Sequence, residues 1–334
     1  MMESAMIGAN PSVAARMPVR VAAIVTEAVG IKSFVLVSPT GGALPRFSAG
    51  SHVLVDLPNG LARQYSLCND PTETHRYRIA VLREPNGRGG SACMHDAVRV
   101  GDVLTISTPR NNFPLFKGAA SSLLIAGGIG MTPILAMCLD LHRCGQDFRL
   151  HYCTRTIALT AFRDELAASS FAGRVAFHHD GGNPTRGLDV RTLLAPVPDG
   201  LHVYCCGPAG LMRAVEQATA HWSIGRVHFE FFAAGSNAAP SVQPGDCAFE
   251  IVIASTGQTL IVPLGRTILD VLNDNGILVE NMCREGICGT CITKVLEGVP
   301  DHRDQVLDAS EKAQNKLITV CCSRARTAKL VLDL

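Results

Sequence analysis

The chain has 334 residues, 47% of them hydrophobic and 18% charged. Its length fits two or three domains, and its composition excludes a disordered chain. Thirty Lys and Arg stand against 29 Asp and Glu, so a net charge of +1 gives no general electrostatic case for nucleic acid.

Residues 1–17 read as a flexible arm of small, polar and basic residues. Residues 18–115 read as an antiparallel β-barrel. Six β-rich runs are set close together and separated by Gly, Pro and Asn: Val19–Val29, Ile31–Pro39, Ser51–Pro58, Arg63–Asp70, Tyr77–Glu84 and Asp102–Pro109. A short helix is expected over Ser91–Val98.

The pattern changes over residues 116–232. Apolar runs at Ser122–Gly128, Phe148–Thr156, Arg174–Asp180, Leu201–Pro208 and Val227–Phe232 alternate with helical spacing at Thr132–Gly145, Ala161–Ser170, Leu188–Pro196 and Ala209–Trp222. Such alternation predicts an α/β domain with a parallel sheet. Leu123–Leu141 reaches membrane-span length. Gly127, Gly128, Gly130 and Pro133 interrupt it, so it reads as strand, turn and helix, and no membrane span is expected.

Residues 233–246 read as a linker rich in Gly, Ser, Asn, Pro and Gln. Residues 247–334 form a third compact unit. A hairpin is expected at Phe249–Gly265, a helix at Thr267–Ile277, and strands near Cys291–Gly298, Leu317–Cys322 and Ala328–Leu334.

Thirteen cysteines cannot all pair, and no secretory signal pattern is visible in Met1–Arg20. The expectation is a reducing, cytoplasmic compartment with thiols free or bound to metal. Cys283, Cys288 and Cys291 follow C-x4-C-x2-C, with a distant fourth cysteine at Cys321. This is the plant-type [2Fe–2S] spacing, in which one tight loop supplies three thiolates and a remote segment the fourth. Gly286 and Gly289 between the ligands permit unusual backbone angles. Zinc sites more often show paired C-x2-C units. Cys322 beside Cys321 leaves two candidates for the fourth ligand, and strand alternation predicts that only one reaches the cluster.

Arg63-Gln64-Tyr65-Ser66-Leu67 resembles the R-x-Y-S-L flavin signature of ferredoxin–NADP reductase-like proteins. Arginine can clamp a phosphate, tyrosine can pack on a flavin ring, and a serine hydroxyl can reach the N5 edge where hydride arrives. The same five residues also suit an ordinary exposed strand. Arg88-Gly89-Gly90-Ser91 forms a phosphate cradle or, equally simply, a turn and helix cap. The two motifs together favour flavin. Gly127-Gly128-Ile129-Gly130-Met131-Thr132-Pro133 follows a strand and opens a helix. Its glycines let the backbone approach a pyrophosphate, and Thr132 is a candidate cap. It is not the G-x-G-x-x-G fingerprint, and a tight packing turn is the plain alternative.

Residues 283–291, followed by Val320–Ala325, resemble the ferredoxin domain of the phthalate dioxygenase reductase family. The resemblance covers nearly the whole chain after the arm. It implies a flavin barrel, a nicotinamide domain and a C-terminal β-grasp ferredoxin, in that order. It selects Cys321 over Cys322 and FMN over FAD. By the same resemblance Cys206, before Gly207-Pro208, lies by the nicotinamide ring. Leu82, Arg83, Glu230, Phe231 and Phe232 lie near the flavin. NADH is favoured, although Arg155 after a strand keeps NADPH open. Ser66, Cys206 and Glu230 are the expected positioning residues of hydride transfer.

The function this implies is the reductase component of a Rieske-type aromatic oxygenase system. Electrons would pass from NADH through FMN and the cluster to a terminal non-haem iron oxygenase. The loop at Arg284, Glu285 and Ile287 is a candidate docking patch. The alternatives are delivery to another acceptor, such as a haem monooxygenase, and a redox sensor, which would not explain the flavin and nucleotide motifs.

Overall fold

The computed structural model describes residues 15–334 except 86, 88, 224, 233–241, 244, 280, 282–285, 287, 288, 290, 305 and 308. Most of the arm and linker, the docking loop, Arg88, Cys283 and Cys288 therefore lie outside the described residues. The chain divides into two compact units, 1–230 and 231–334.

The first unit opens with strands β1 (Arg16–Ala28), β2 (Ile31–Val37), β3 (Ser51–Asp56), β4 (Ala62–Ser66) and β5 (Tyr77–Leu82). Helix α1 (Gly90–Asp96) and strands β6 (Val103–Ser107) and β7 (Arg110–Asn111) follow. The sheet is antiparallel in the order β4-β3-β6-β1-β2-β5, with β7 on β3. A bridge between Leu67, just past β4, and Ile79 of β5 closes it into a barrel. β1 has register shifts at Val21/Ala23 and Thr26/Ala28. Such bulges bend a strand, which a closing sheet requires. The barrel core takes every second residue of its strands, among them Val19 and Val21, Phe34 and Leu36, Val53 and Val55, and Leu104 and Ile106.

The same unit continues with β8 (Ser121–Gly127), α2 (Met131–Arg143), β9 (Phe148–Thr154), α3 (Arg163–Ala168), β10 (Val175–His179), α4 (Val190–Leu194), β11 (Leu201–Cys206), α5 (Ala209–Ala218) and β12 (Val227–Glu230). The sheet is parallel, ordered β10-β9-β8-β11-β12. The chain winds outward from β8 in both directions, so the carboxyl ends of β8 and β11 flank the switch point where open α/β sheets bind ligands. Helix α2 begins at Met131, not with Thr132 as its cap. A 3-10 turn over 128–130 runs directly into it, and the Thr132 hydroxyl donates back to the Ile129 carbonyl at 3.1 Å. One buried core joins the two sheets: Ile31, Ala49, Cys68, Ala80 and Phe113 cluster with Leu124, Ile134, Leu150 and Tyr204.

The second unit contains β13 (Phe249–Ile253), β14 (Thr259–Val262), α6 (Ile268–Asp274), β15 (Ile292–Glu297), β16 (Pro300–Asp301), α7 (Ala309–Gln314), β17 (Leu317–Thr319), β18 (Arg324–Ala325) and β19 (Lys329–Leu332). Its mixed sheet runs β14-β13-β19-β15-β17, with β13 parallel to β19. Helix α6 starts on a capping box between Thr267 and Asp270 and buries Ile268, Leu269 and Leu272 in the core of this unit. This is the β-grasp arrangement.

Candidate functional site: a flavin and nucleotide face, and a cysteine loop

Ser66 ends β4 and is buried. Its hydroxyl donates to Oε2 of Glu230, the last residue of β12, at 3.4 Å. Glu230 pairs in register with Cys206, the last residue of β11. The three residues expected to position hydride transfer therefore meet where the antiparallel sheet abuts the parallel one. Burial pushes the Glu230 carboxyl up to about 8, opposed by the Ser66 hydroxyl. Cys206 is fully buried, and burial with Glu230 nearby holds its thiol well above the usual range. A neutral thiol there is a small, soft surface, not a nucleophile.

The rest of the barrel motif divides by strand face. Gln64 places its amide nitrogen 3.1 Å from Nε2 of His52. Tyr65 packs against the barrel core, and burial raises its phenol. Arg63 lies against the start of α1: a Cβ on Gly90 would stand 2.8 Å from its Cγ and 2.9 Å from its Nε. Gly89 (φ 86°) occupies the cap position of α1, and the Ser91 hydroxyl accepts the Glu84 amide at 3.0 Å. Glycine at 90 leaves room for the Arg63 side chain against the start of α1, and that arrangement suits a phosphate. Leu82 packs against the shared core, whereas the Arg83 guanidinium pairs with Asp96 at 2.7 Å on the surface.

At the switch point, two turns pack backbone against backbone. A Cβ on Gly130 would collide with the Cys206 carbonyl and stand 2.8 Å from the Gly207 nitrogen. One on Gly127 would stand 2.6 Å from Cδ of Pro208. Gly128 differs: its φ is 54° and nothing lies within 4 Å of its would-be Cβ. Its Cβ side faces open space, which suits the approach of a pyrophosphate, while its carbonyl accepts the Tyr152 hydroxyl at 3.1 Å; Gly127, Gly130 and Gly207 serve the close approach of the turns.

In the second unit, β15 pairs Ile292 with Thr319 of β17, which carries Cys291 and Cys321 into one core. The Val320 amide donates to the Cys291 carbonyl at 3.4 Å. Cys291 and Cys321 are both buried. β17 ends at Thr319, so residues 320–322 form a turn and the strand-alternation argument for the fourth ligand does not apply. Cys322 lies 3.3 Å from the Thr319 hydroxyl. Gly286 (φ 71°) packs so closely on Cys322 and Asp304 that a Cβ would meet the Asp304 Cα at 2.9 Å. Two buried thiols in one core, with a left-handed glycine packed on the neighbouring Cys322, suit a thiolate-bound cluster. Phe232 is exposed and belongs to this unit.

His52 escaped the sequence reading. It stands opposite Ser66 in the β3–β4 register, and burial with Arg110 nearby lowers it to about 4. A lone histidine in an apolar strand carries no local signal. Among the described residues, no helix is long and apolar enough to cross a membrane.

A family described as the 2Fe-2S iron-sulfur cluster binding domain matches residues 251–326. The chain is 49% identical over 306 residues to a vanillate O-demethylase oxidoreductase of Pseudomonas sp. (strain HR199 / DSM 7063), covering 91% of this chain and 95% of that one. It is 45% identical over 322 residues to the tert-butanol monooxygenase / tert-amyl alcohol desaturase reductase subunit of Aquincola tertiaricarbonis, covering 94% and 95%. Among solved structures, phthalate dioxygenase reductase, a modular structure for electron transfer from pyridine nucleotides to [2Fe–2S], superposes with a TM-score of 0.73 at 44% identity, covering 96% of this chain and 98% of that one. Barrel, parallel sheet and cysteine-bearing β-grasp occur in the expected order, and the likeness spans more than nine-tenths of the chain; the protein belongs to the phthalate dioxygenase reductase family of oxidoreductases.

Proposed function

We propose that this chain is the cytoplasmic reductase component of a Rieske-type aromatic oxygenase system. It would use NADH, FMN and one [2Fe–2S] cluster, and its partner would be a terminal non-haem iron oxygenase, with no role for nucleic acid or membrane. The work divides among an FMN barrel (18–115), an NAD domain (116–232), a linker (233–246) and a ferredoxin domain (247–334). The carrying observation is the Ser66–Glu230 contact, which joins the flavin-motif strand to the nicotinamide-side strand.

A bound flavin would supply two-electron hydride acceptance and a bound cluster one-electron transfer, which together would convert a two-electron donor into a one-electron supply. The protein's own residues hold and orient. Arg63, with Arg88, Gly89, Gly90 and Ser91, holds the flavin phosphate. Gln64, Tyr65, Leu82 and Arg83 border the flavin. Gly128 admits the dinucleotide's pyrophosphate, Gly130 and Thr132 hold the turn that carries it, and Cys206, Gly207 and Pro208 leave room for the nicotinamide ring. Ser66 presents its hydroxyl, and Glu230, neutral through most of the physiological range, holds a proton at Oε2 or Oε1 close to it. Phe232 is a flavin neighbour by family resemblance alone, and Cys283, Cys288, Cys291 and Cys321 would hold the cluster.

The test is acceptor choice. The purified protein with NADH is offered a Rieske oxygenase or a haem monooxygenase under anaerobic conditions. Rapid reduction of the Rieske centre supports the proposal; reduction of the haem protein alone refutes it.

A further inference from the structure

Arg78 and Glu165 form an ion pair across the boundary between the two sheets of the first unit. Arg78 stands on β5, and its Nη1 and Nη2 donate to Oε2 and Oε1 of Glu165, both at 2.9 Å. The same Nη2 reaches the Cys68 carbonyl at 3.3 Å, two residues beyond Ser66. The backbone reciprocates: the Cys68 amide donates to the Arg78 carbonyl at 2.8 Å and the Cys68 thiol at 3.2 Å. Arg78 is thus tied to the segment that presents Ser66.

Glu165 has a 40% exposed side chain and is held through its helix. It lies in the first turn of α3, which Phe162 precedes as the cap residue. Phe162 has φ 59°, a left-handed conformation that costs a bulky side chain energy, and it is buried in the core that the two sheets share. The Arg78 guanidinium carbon lies 5.0 Å from the centroid of its ring. The Val29 amide of the β1–β2 turn donates to the Ala158 carbonyl at 3.0 Å, a second link across the boundary. The Arg78 side chain is only 14% exposed. A two-pronged pair in that setting holds geometry as well as charge, unlike an isolated surface pair.

We propose that Arg78 and Glu165 are a positioning pair for hydride transfer. They set the angle at which the Ser66 segment meets the sheet bearing Cys206 and Glu230. Arg78 acts through the Cys68 carbonyl, and Glu165 through the α3 cap. This inference rests on the function proposed above. Hydride transfer falls off steeply with misplacement of the reacting atoms, so a small rotation between the sheets is enough to matter.

The test uses the full, cofactor-loaded chain with Glu165→Gln, which removes the charge, and Arg78→Lys, which removes the fork. The expected result is about a tenfold or greater loss in the hydride-transfer rate constant at saturating NADH, with NADH affinity held within about twofold. Amide exchange at Val29 should quicken about tenfold, while amides of β2 and β5 keep their protection. Wild-type rate and wild-type Val29 exchange in both variants would overturn the proposal. So would loss of protection throughout the barrel, which would make the pair merely structural. If NADH fails to reduce the unaltered protein, the functional reading fails instead, and Val29 exchange alone then decides whether the pair locks the two sheets.

Discussion

The Ser66 hydroxyl and the Glu230 carboxyl meet at 3.4 Å although 164 positions separate them in the chain. Each closes a strand of a different sheet, so the contact reports how those sheets meet. It also leaves a carboxyl raised to about 8 at the centre of the site.

That raised value makes stability depend on pH. Below about pH 4.5 Glu230 is protonated both folded and unfolded, and nothing is lost. Between 4.5 and about 8 the unfolded chain ionises while the folded one keeps its proton, so stability falls as pH rises; above about 8 the loss is complete. Glu230→Gln should therefore stabilise the first unit by roughly 1–3 kcal/mol at pH 8 and negligibly at pH 4, discounted because the carboxyl keeps some exposure. Urea denaturation at the two pH values checks this, and an equal gain at both would count against it.

The glycines of the 127–130 turn should not respond alike. Gly130→Ala pushes a methyl into the Cys206 carbonyl, where two backbones must separate. A loss of roughly 2–3 kcal/mol and weaker NADH binding are expected. Gly128→Ala meets no atom within 4 Å and bears only the strain of φ 54°, about 1 kcal/mol. Urea midpoints of the two variants should rank in that order.

Arg63→Ala should release flavin. Its side chain lies on the α1 start, and a charge-assisted phosphate contact is worth roughly 1.5–3 kcal/mol, or about 10- to 100-fold in affinity. Gly90→Ala should act in the same direction by displacing Arg63. The ratio of flavin to protein absorbance after gel filtration at low concentration reports both. Full occupancy in Arg63→Ala would remove it from the phosphate site.

Cys321→Ser should abolish the cluster absorbance and bound iron, whereas Cys322→Ser should keep them. Cys321 is buried in the core with Cys291, whereas Cys322 is half-buried against the edge of that core, beside the Thr319 hydroxyl. Both variants should retain NADH-driven dye reduction, because the flavin and nucleotide motifs belong to the other unit. A cluster that survives in Cys321→Ser and vanishes in Cys322→Ser would reverse the assignment.

Much of the fold was legible from pattern alone. Alternating runs mark β1–β6, and the change to strand–helix alternation marks the parallel sheet. The cysteine spacing marks the loop before β15. Resemblance, not periodicity, pointed to Cys206 and Glu230, since neither carries a local signal. The strand-alternation argument at Cys321 and Cys322 failed because β17 ends two residues earlier, at Thr319. Thr132 looked like a helix cap, but a 3-10 turn feeds α2 from the preceding residues. Gly127, Gly128 and Gly130 read as one ligand-approach motif; contacts with the distant Cys206–Pro208 turn divide them into the packing glycines 127 and 130 and the open Gly128. Arg78 gave no sign of its role, because an arginine inside a strand reads as an exposed charge until α3 is seen against it.

The central claim is a path from NADH through a flavin to the cysteine-bound cluster. The most direct measurement is an anaerobic NADH titration of the purified protein followed by visible absorbance, with the released flavin identified by mass. The account predicts that flavin and iron–sulfur bands both bleach, and that the flavin has the mass of FMN. Flavin and cluster bands that stay oxidised under excess NADH, or a protein that takes up neither group on reconstitution, would contradict it.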